Sequence, residues 1–191
     1  IFFQSWIGGP INPADMNTAL GGSAEGMLAE YRVLGEDGLV STPNHMSDHE
    51  AATLPCAAVT AWNSLMMGDV GAGSTVLLLG TGGVSIIALQ LCKILGAKAI
   101  ITSSSDEKLE RAKKLGAWKT INYASKPDWE KEVLAATNEI GVDHTVEVGG
   151  PGTLQKSIDS TRLGGSIGLI GVLALGEIDP LPILMKSLRV Q

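Results

Sequence analysis

The sequence predicts a doubly wound α/β sheet of parallel strands, entered through the end of an all-β domain at the N-terminus. Three observations predict it. From residue 75 onward, five short aliphatic strand segments alternate with four helical segments. Strands joined through helices run parallel, with right-handed crossovers and helices on both faces. A glycine-rich turn, Gly80-Thr81-Gly82-Gly83, joins the first of these strands to the first helix. The composition, with 24 glycines and two phenylalanines, is small and aliphatic, as buried parallel sheets and their tight turns require.

Taken in order, residues 1 to about 50 carry the turn signals Gly8-Gly9-Pro10, Asn12-Pro13, Gly21-Gly22 and Gly35-Glu36-Asp37-Gly38. Between them lie β-like runs such as Met27-Leu28-Ala29-Glu30-Tyr31-Arg32-Val33. The chain opens without Met on Ile1-Phe2-Phe3, which reads as the middle of a strand and leads to the expectation of a fragment. No basic segment precedes these residues, so they do not read as a signal peptide. Ser47 stands three residues before Glu50, a capping-box spacing, and the helix it starts is expected to run through Ala51-Ala52 towards Pro55. A second helical run passes through Ala61 and Leu65. The alternating series follows: strand 75–79, helix 83–95 closed by Gly96, strand 99–102, helix 106–115 closed by Gly116, and strand 120–122. It continues with helix 128–137, with Pro127 near its first turn, then strand 144–148, helix 153–160 and strand 166–170.

Composition narrows the function classes. Apolar residues make up 45% and charged residues 18%, a globular balance. A formal charge of −6, with bases interleaved among acids as in Asp106-Glu107-Lys108-Leu109-Glu110-Arg111, argues against nucleic acid as the main partner. Cys56 and Cys92 make neither a disulfide framework nor a zinc ribbon, and a reduced, cytoplasmic setting is expected. No apolar run reaches the roughly 18 residues of a membrane-spanning helix, so no membrane association is expected. His45, His49 and His144 show no metal-ligand spacing and read as surface or supporting residues.

The loop Gly80-Thr81-Gly82-Gly83-Val84-Ser85 carries the main chemistry. Its first glycine permits a sharp turn, and Gly82 lets the backbone approach a pyrophosphate without a Cβ in the way. The helix that follows points free N–H groups and its positive dipole end at the phosphates. Placement between strand and helix, at the head of a β/α series, raises this motif above a chance match. A tight turn without a ligand is the plainer alternative. Ser85 stands where Gly or Ala is usual, so the helix is expected to stand slightly further from the strand. Where an NAD site places an acid at the end of the second strand, this chain has Ile101-Thr102-Ser103-Ser104-Ser105. Hydroxyls there and Lys108 on the next turn suit a 2′-phosphate, favouring NADP over NAD. Against that, Ser104 and Glu107 also match a capping box, and Lys108 matches a solvated surface position.

Several segments together resemble the medium-chain dehydrogenase/reductase family: Pro55-Cys56-Ala57-Ala58-Val59-Thr60-Ala61-Trp62, the glycine loop, Thr102-Ser103-Ser104-Ser105-Asp106-Glu107-Lys108, Asn122-Tyr123 and Val146-Glu147-Val148-Gly149-Gly150. The branch they most resemble is the zinc-independent quinone oxidoreductase-type alcohol dehydrogenases. The resemblance implies that residues 1–50 are the last part of a GroES-like catalytic segment and 51–191 a Rossmann domain cut short near its sixth strand. It also implies a cofactor site. Thr60 packs near the nicotinamide, while Gly80, Gly82, Gly83 and Val84 form the pyrophosphate loop. Ser103, Ser104, Lys108 and Tyr123 form the 2′-phosphate pocket. Val148 and Gly149 line the nicotinamide ribose, and Ile170, Gly171 and Val172 meet the nicotinamide. Cys56 takes the place of a catalytic zinc ligand in zinc-containing relatives. A catalytic zinc needs three protein ligands, so Cys56 is read as a small packed residue, Cys92 as core, and no metal is expected.

The reaction so implied is hydride transfer between nicotinamide and a carbonyl, quinone, conjugated alkene or alcohol. No Tyr-Lys or Ser-His arrangement stands out, and no catalytic residue is assigned. The segments Ile183-Leu184-Met185 and Leu188-Arg189-Val190 lead towards the outermost strand, which in the family commonly pairs across a two-fold axis, so a homodimer is expected. Two rival classes remain: a non-catalytic nucleotide-binding protein on the same fold, and an S-adenosylmethionine-dependent methyltransferase, which also favours an acid after the second strand.

Overall fold

A computed structural model describes residues 5–191, so the expectation of a strand at Ile1-Phe2-Phe3 lies outside the described residues. The chain divides into two units, Ile1–Cys56 and Ala57–Gln191. Among the described residues, the smaller unit holds two 3₁₀ turns, Asp15–Thr18 and Glu36–Gly38, and one short helix, α1 (Asp48–Ala51). Buried Asp15 organises its first turn, accepting from Ser5 Oγ at 2.8 Å and from the Asn12 N–H at 3.0 Å. Ser47 and Glu50 form the expected capping box on α1.

Two expectations for this stretch are corrected. Met27-Leu28-Ala29-Glu30-Tyr31-Arg32-Val33 is not a strand, although its composition suits one. Leu28, Tyr31 and Val33 are exposed, and no described segment pairs with this run, so its β-propensity has no ladder to act in. The helix does not run on towards Pro55 either. It ends at Ala51, and Leu54–Ala58 forms a π-helical turn before α2 (Val59–Met67). Pro55 has no N–H to donate to an i−4 carbonyl, and the wider turn accommodates it.

The larger unit is the doubly wound sheet. Its strands are β1 (Thr75–Leu78), β2 (Lys98–Ser103), β3 (Lys119–Asn122), β4 (Val142–Glu147), β5 (Thr161–Leu169) and β6 (Arg189–Val190). All pairings are parallel, in the order β3-β2-β1-β4-β5-β6. The connecting helices are α3 (Gly83–Leu95), α4 (Asp106–Leu115), α5 (Trp129–Ala136), α6 (Pro151–Ser160) and α7 (Leu181–Met185). This is the Rossmann topology, and the winding reverses between β1 and β4. In an open sheet of this kind, the reversal point is where a ligand crevice forms at the carboxyl ends of the strands.

Alternation along the strands builds two faces. Val76 and Leu78 of β1, Ile101 and Val146 pack with Ala61 and Leu65 of α2, Ala88, Leu89 and Cys92 of α3, and Leu109 and Ala112 of α4. Leu77, Ile100 and Ile121 point the other way, onto Trp129 and Val133 of α5. Leu154 and Ile158 of α6 cover Ile167, with Leu188 beside them. Such strands read as continuous aliphatic runs because both faces are buried. Gly96 and Gly116 close α3 and α4 in left-handed conformation, φ 73° and 111°, as expected.

β5 starts five residues earlier than the strand expected at 166–170. Val142 pairs with Thr161, and His144 then pairs with Ser166, so residues 162–165 bulge between them. Gly164-Gly165 within that bulge reads as a turn in sequence. The early start is held by Thr161 Oγ1, 2.9 Å from Thr145 Oγ1 in the interior. β6 supplies the sixth strand at the sheet edge.

Candidate functional site

The glycine loop stands at the reversal point. Gly80 turns the chain out of β1 with φ 70°, a conformation that favours glycine. Its N–H donates to Thr102 Oγ1 at 3.0 Å, and Thr81 Oγ1 lies 3.1 Å from Ser103 Oγ. The end of β2 thus fastens the loop sideways. Gly82 is the N-cap of α3, with no side-chain cap and no acid in the first turn. A Cβ at Gly80 or Gly82 would meet nothing within 4 Å, whereas one at Gly83 would touch Ala57 Cβ at 3.5 Å. The first N–H groups of a 13-residue helix are therefore left uncapped beneath an open, side-chain-free surface. Ser85 is buried, and its Oγ donates to the Leu79 carbonyl at 2.6 Å, tying α3 to the end of β1.

The ends of β2 and β3 form one side of the crevice. The N-cap of α4 is Ser105, whose Oγ accepts from the Lys108 N–H at 3.3 Å, so the Ser104–Glu107 capping box is not formed. Ser104 and Lys108 are exposed. Tyr123 is brought beside them by its N–H, which donates to the Ser103 carbonyl at 3.0 Å, and its ring is partly exposed. Ser103 is buried, its hydroxyl shared between Thr81 and the Ser105 N–H. Asp106, the first acid after β2, accepts from Asn122 Nδ2 at 2.7 Å.

The ends of β4 and β5 form the other side. Val148 and Ile170 are half-buried, Gly149 and Val172 exposed. Ile170 and Gly171 donate their N–H groups to the Glu147 carbonyl at 2.8 and 3.0 Å, which brings the two turns together. At Gly150, φ is 75° and a Cβ would lie 2.6 Å from the Gly171 carbonyl oxygen. A Cβ on Gly171 would lie 2.6 Å from the Val148 carbonyl carbon. Backbone meets backbone here, and only glycine permits it. Thr60 lies half-buried in the first turn of α2.

Some polar residues turn out to serve the fold. His144 is fully buried and takes the supporting role, not the surface one. Its Nε2 lies 2.9 Å from Ser64 Oγ on α2 and its Nδ1 2.8 Å from Ser166 Oγ on β5. Burial, with the nearby Arg189 charge, pushes its imidazole from 6.5 down to about 4. Cys92 is buried, and burial pushes its thiol up to about 12. Cys56 is exposed, which corrects the expectation of a packed residue. His45 and His49 are exposed. Among the described residues, no group of three His, Cys, Asp or Glu side chains could hold a metal ion. No described helix is long and apolar enough to cross a membrane.

Sequence reasoning missed the supporting roles of Glu147, Thr102 and Thr153. The available signal was an acid and a hydroxyl closing otherwise aliphatic strands, where burial is costly without dedicated hydrogen bonds.

The zinc-binding dehydrogenase family pattern matches residues 83–191. The chain belongs to that family, within the medium-chain dehydrogenase/reductases. A zinc-type alcohol dehydrogenase-like protein of Schizosaccharomyces pombe is 48% identical over 176 residues, covering 91% of this chain and 51% of the relative. A solved structure from Sinorhizobium meliloti 1021, described only provisionally as an alcohol dehydrogenase, superposes with TM-score 0.90 at 41% identity, covering 100% of this chain and 57% of the other. A solved NAD-dependent alcohol dehydrogenase gives TM-score 0.82 at 36% identity, covering 90% and 51%. A quinone oxidoreductase from Thermus thermophilus, solved with and without NADPH, gives 0.68 at 28% identity, covering 80% and 49%. The chain spans about half the length of the curated relatives it matches. Membership in a dehydrogenase family leaves the methyltransferase alternative without support.

Proposed function

We propose that this chain holds the nicotinamide dinucleotide of an oxidoreductase that moves hydride between the nicotinamide and a carbonyl, quinone, conjugated alkene or alcohol. The observation that carries the reading is the uncapped start of α3 beneath the open backbone of Gly80 and Gly82. That surface fits a pyrophosphate, since a Cβ at Gly82 would project into the space the phosphates need. The α3 N–H groups bind the phosphates, and Thr102 and Ser103 hold the loop in place. Thr60, Val148, Gly149, Ile170, Gly171 and Val172 line the nicotinamide end, and their two turns shape the floor on which it is oriented. The nicotinamide, when bound, supplies the hydride chemistry, and the protein aligns and shields it.

NADP is the proposed cofactor. Ser104, Lys108 and Tyr123 are exposed at the ends of β2 and β3 and the start of α4, and the nearby acid Asp106 is engaged by Asn122. Affinity for NADPH should exceed that for NADH. Lys108→Ala should cost NADPH about 1–3 kcal/mol and spare NADH. Equal calorimetric affinities for the two cofactors would refute the preference.

Residues 1 to about 50 belong to a GroES-like catalytic segment, as the family resemblance implies. The chemistry runs without a zinc held by this chain, since its described residues bring no three ligands together. The protein pairs as a homodimer in the cytoplasm. Support for pairing is that β6 lies at the sheet edge with Leu184, Met185 and Val190 exposed nearby in sequence.

A further inference from the structure

We infer that Glu147 is a positioning residue whose buried carboxylate sets the backbone turns under the nicotinamide half of the cofactor. The inference rests on the cofactor reading above and deepens it. Glu147 ends β4 and is 0% exposed, inside a strand whose neighbours Val146 and Val148 are aliphatic. A buried carboxylate is costly unless its oxygens are hydrogen-bonded. Here they are. Oε1 accepts from the Gly149 N–H at 2.7 Å, the Gly150 N–H at 3.0 Å and Thr153 Oγ1 at 2.7 Å. Oε2 accepts from Ser157 Oγ. One side chain thus joins the end of β4, the turn after it and two positions of α6.

The same residue reaches the second turn through its backbone, since its carbonyl accepts from the N–H groups of Ile170 and Gly171. Gly150 and Gly171 are in direct backbone contact. A rotation of the Gly149-Gly150 peptides is therefore transmitted to Gly171. An aliphatic residue at 147 leaves the Gly149 and Gly150 N–H groups without their acceptor, and such groups turn outward to find one. The turns then lose the shape that receives the nicotinamide. The pyrophosphate loop, held instead by Thr102, Ser103 and Ser85, is untouched.

The test compares ligands with and without the nicotinamide. Calorimetry on the intact enzyme measures NADH and NADPH beside ADP-ribose and 2′-phospho-ADP-ribose, with circular dichroism reporting the fold. Glu147→Leu should weaken the complete dinucleotides about tenfold or more while the truncated ligands stay within about twofold. Glu147→Gln should remain within about threefold for all four. Its amide oxygen can accept from Gly149, Gly150 and Thr153, and Ser157 can turn its hydroxyl to accept from the amide. Should Glu147→Leu fail to fold, Thr153→Val, which removes a single donor, should show the same selectivity at about threefold. Equal losses for complete and truncated ligands, or no loss in the folded variant, would overturn the assignment. A wild-type enzyme that binds none of the four ligands would instead overturn the cofactor reading itself.

Discussion

The His144 clasp makes acid stability a quantitative test of the packing between α2 and the sheet. The imidazole bridges Ser64 and Ser166 with no exposed surface, and burial holds it near 4 against an ordinary 6.5. At neutral pH it is uncharged in both folded and unfolded chains. Between 6.5 and about 4, the unfolded imidazole takes up a proton that the folded one refuses. The unfolded state then binds more protons, so stability falls as pH falls through this window. The full gap corresponds to a ceiling of about 3 kcal/mol, of which about 2 kcal/mol is lost by about pH 5. His144→Gln cannot titrate there and keeps a polar end towards Ser64. Urea unfolding of both proteins at about pH 7 and about pH 5 isolates the contribution, because other ionisable groups are common to both. The wild type should lose about 2 kcal/mol more than the variant over that interval. Equal losses would show that the folded imidazole accepts its proton at an ordinary pH and that the buried clasp is wrong.

Two further outcomes follow from the site and the sheet edge. If the chemistry runs without zinc as proposed, activity of the intact enzyme should survive exhaustive chelation; loss with EDTA and recovery with zinc would give Cys56 a metal role. Light scattering coupled to size exclusion should report a dimer for the intact protein if it pairs as proposed, and a monomer would contradict the pairing.

Local patterns were legible in the sequence, and contacts between distant residues were not. The alternation from Thr75 onward could be read because each strand and helix carries its own period and its own closing glycine, as Gly96 and Gly116 show. The glycine loop could be read because strand, turn and helix are contiguous. Three successive serines, 103–105, match a cap about equally well. Backbone conformation chose Ser105, and Ser104 is left exposed and outside the cap. His144 and Ser64 lie 80 residues apart, and nothing local tells a buried imidazole from a surface one. Glu147 was visible as an acid in an aliphatic run, but its meaning depends on donors from α6 and from the turn beyond it. The run from Met27 to Val33 shows the opposite failure, in which strand-forming residues have no described partner to pair with.

The central claim is that the pyrophosphate of a nicotinamide dinucleotide rests on the backbone of the glycine loop, and Gly82→Val tests it most directly. Gly82 has φ −79°, which any residue adopts, and a side chain there meets nothing within 4 Å. The fold should therefore tolerate the substitution, with unfolding free energy changed by less than about 1 kcal/mol. The new side chain would occupy the space assigned to the phosphates. Calorimetry should show NADPH affinity reduced more than about 100-fold, equivalent to about 2.7 kcal/mol. A stable Gly82→Val protein that binds NADPH as tightly as the wild type would contradict the account, because the cofactor would then have to lie elsewhere on the sheet.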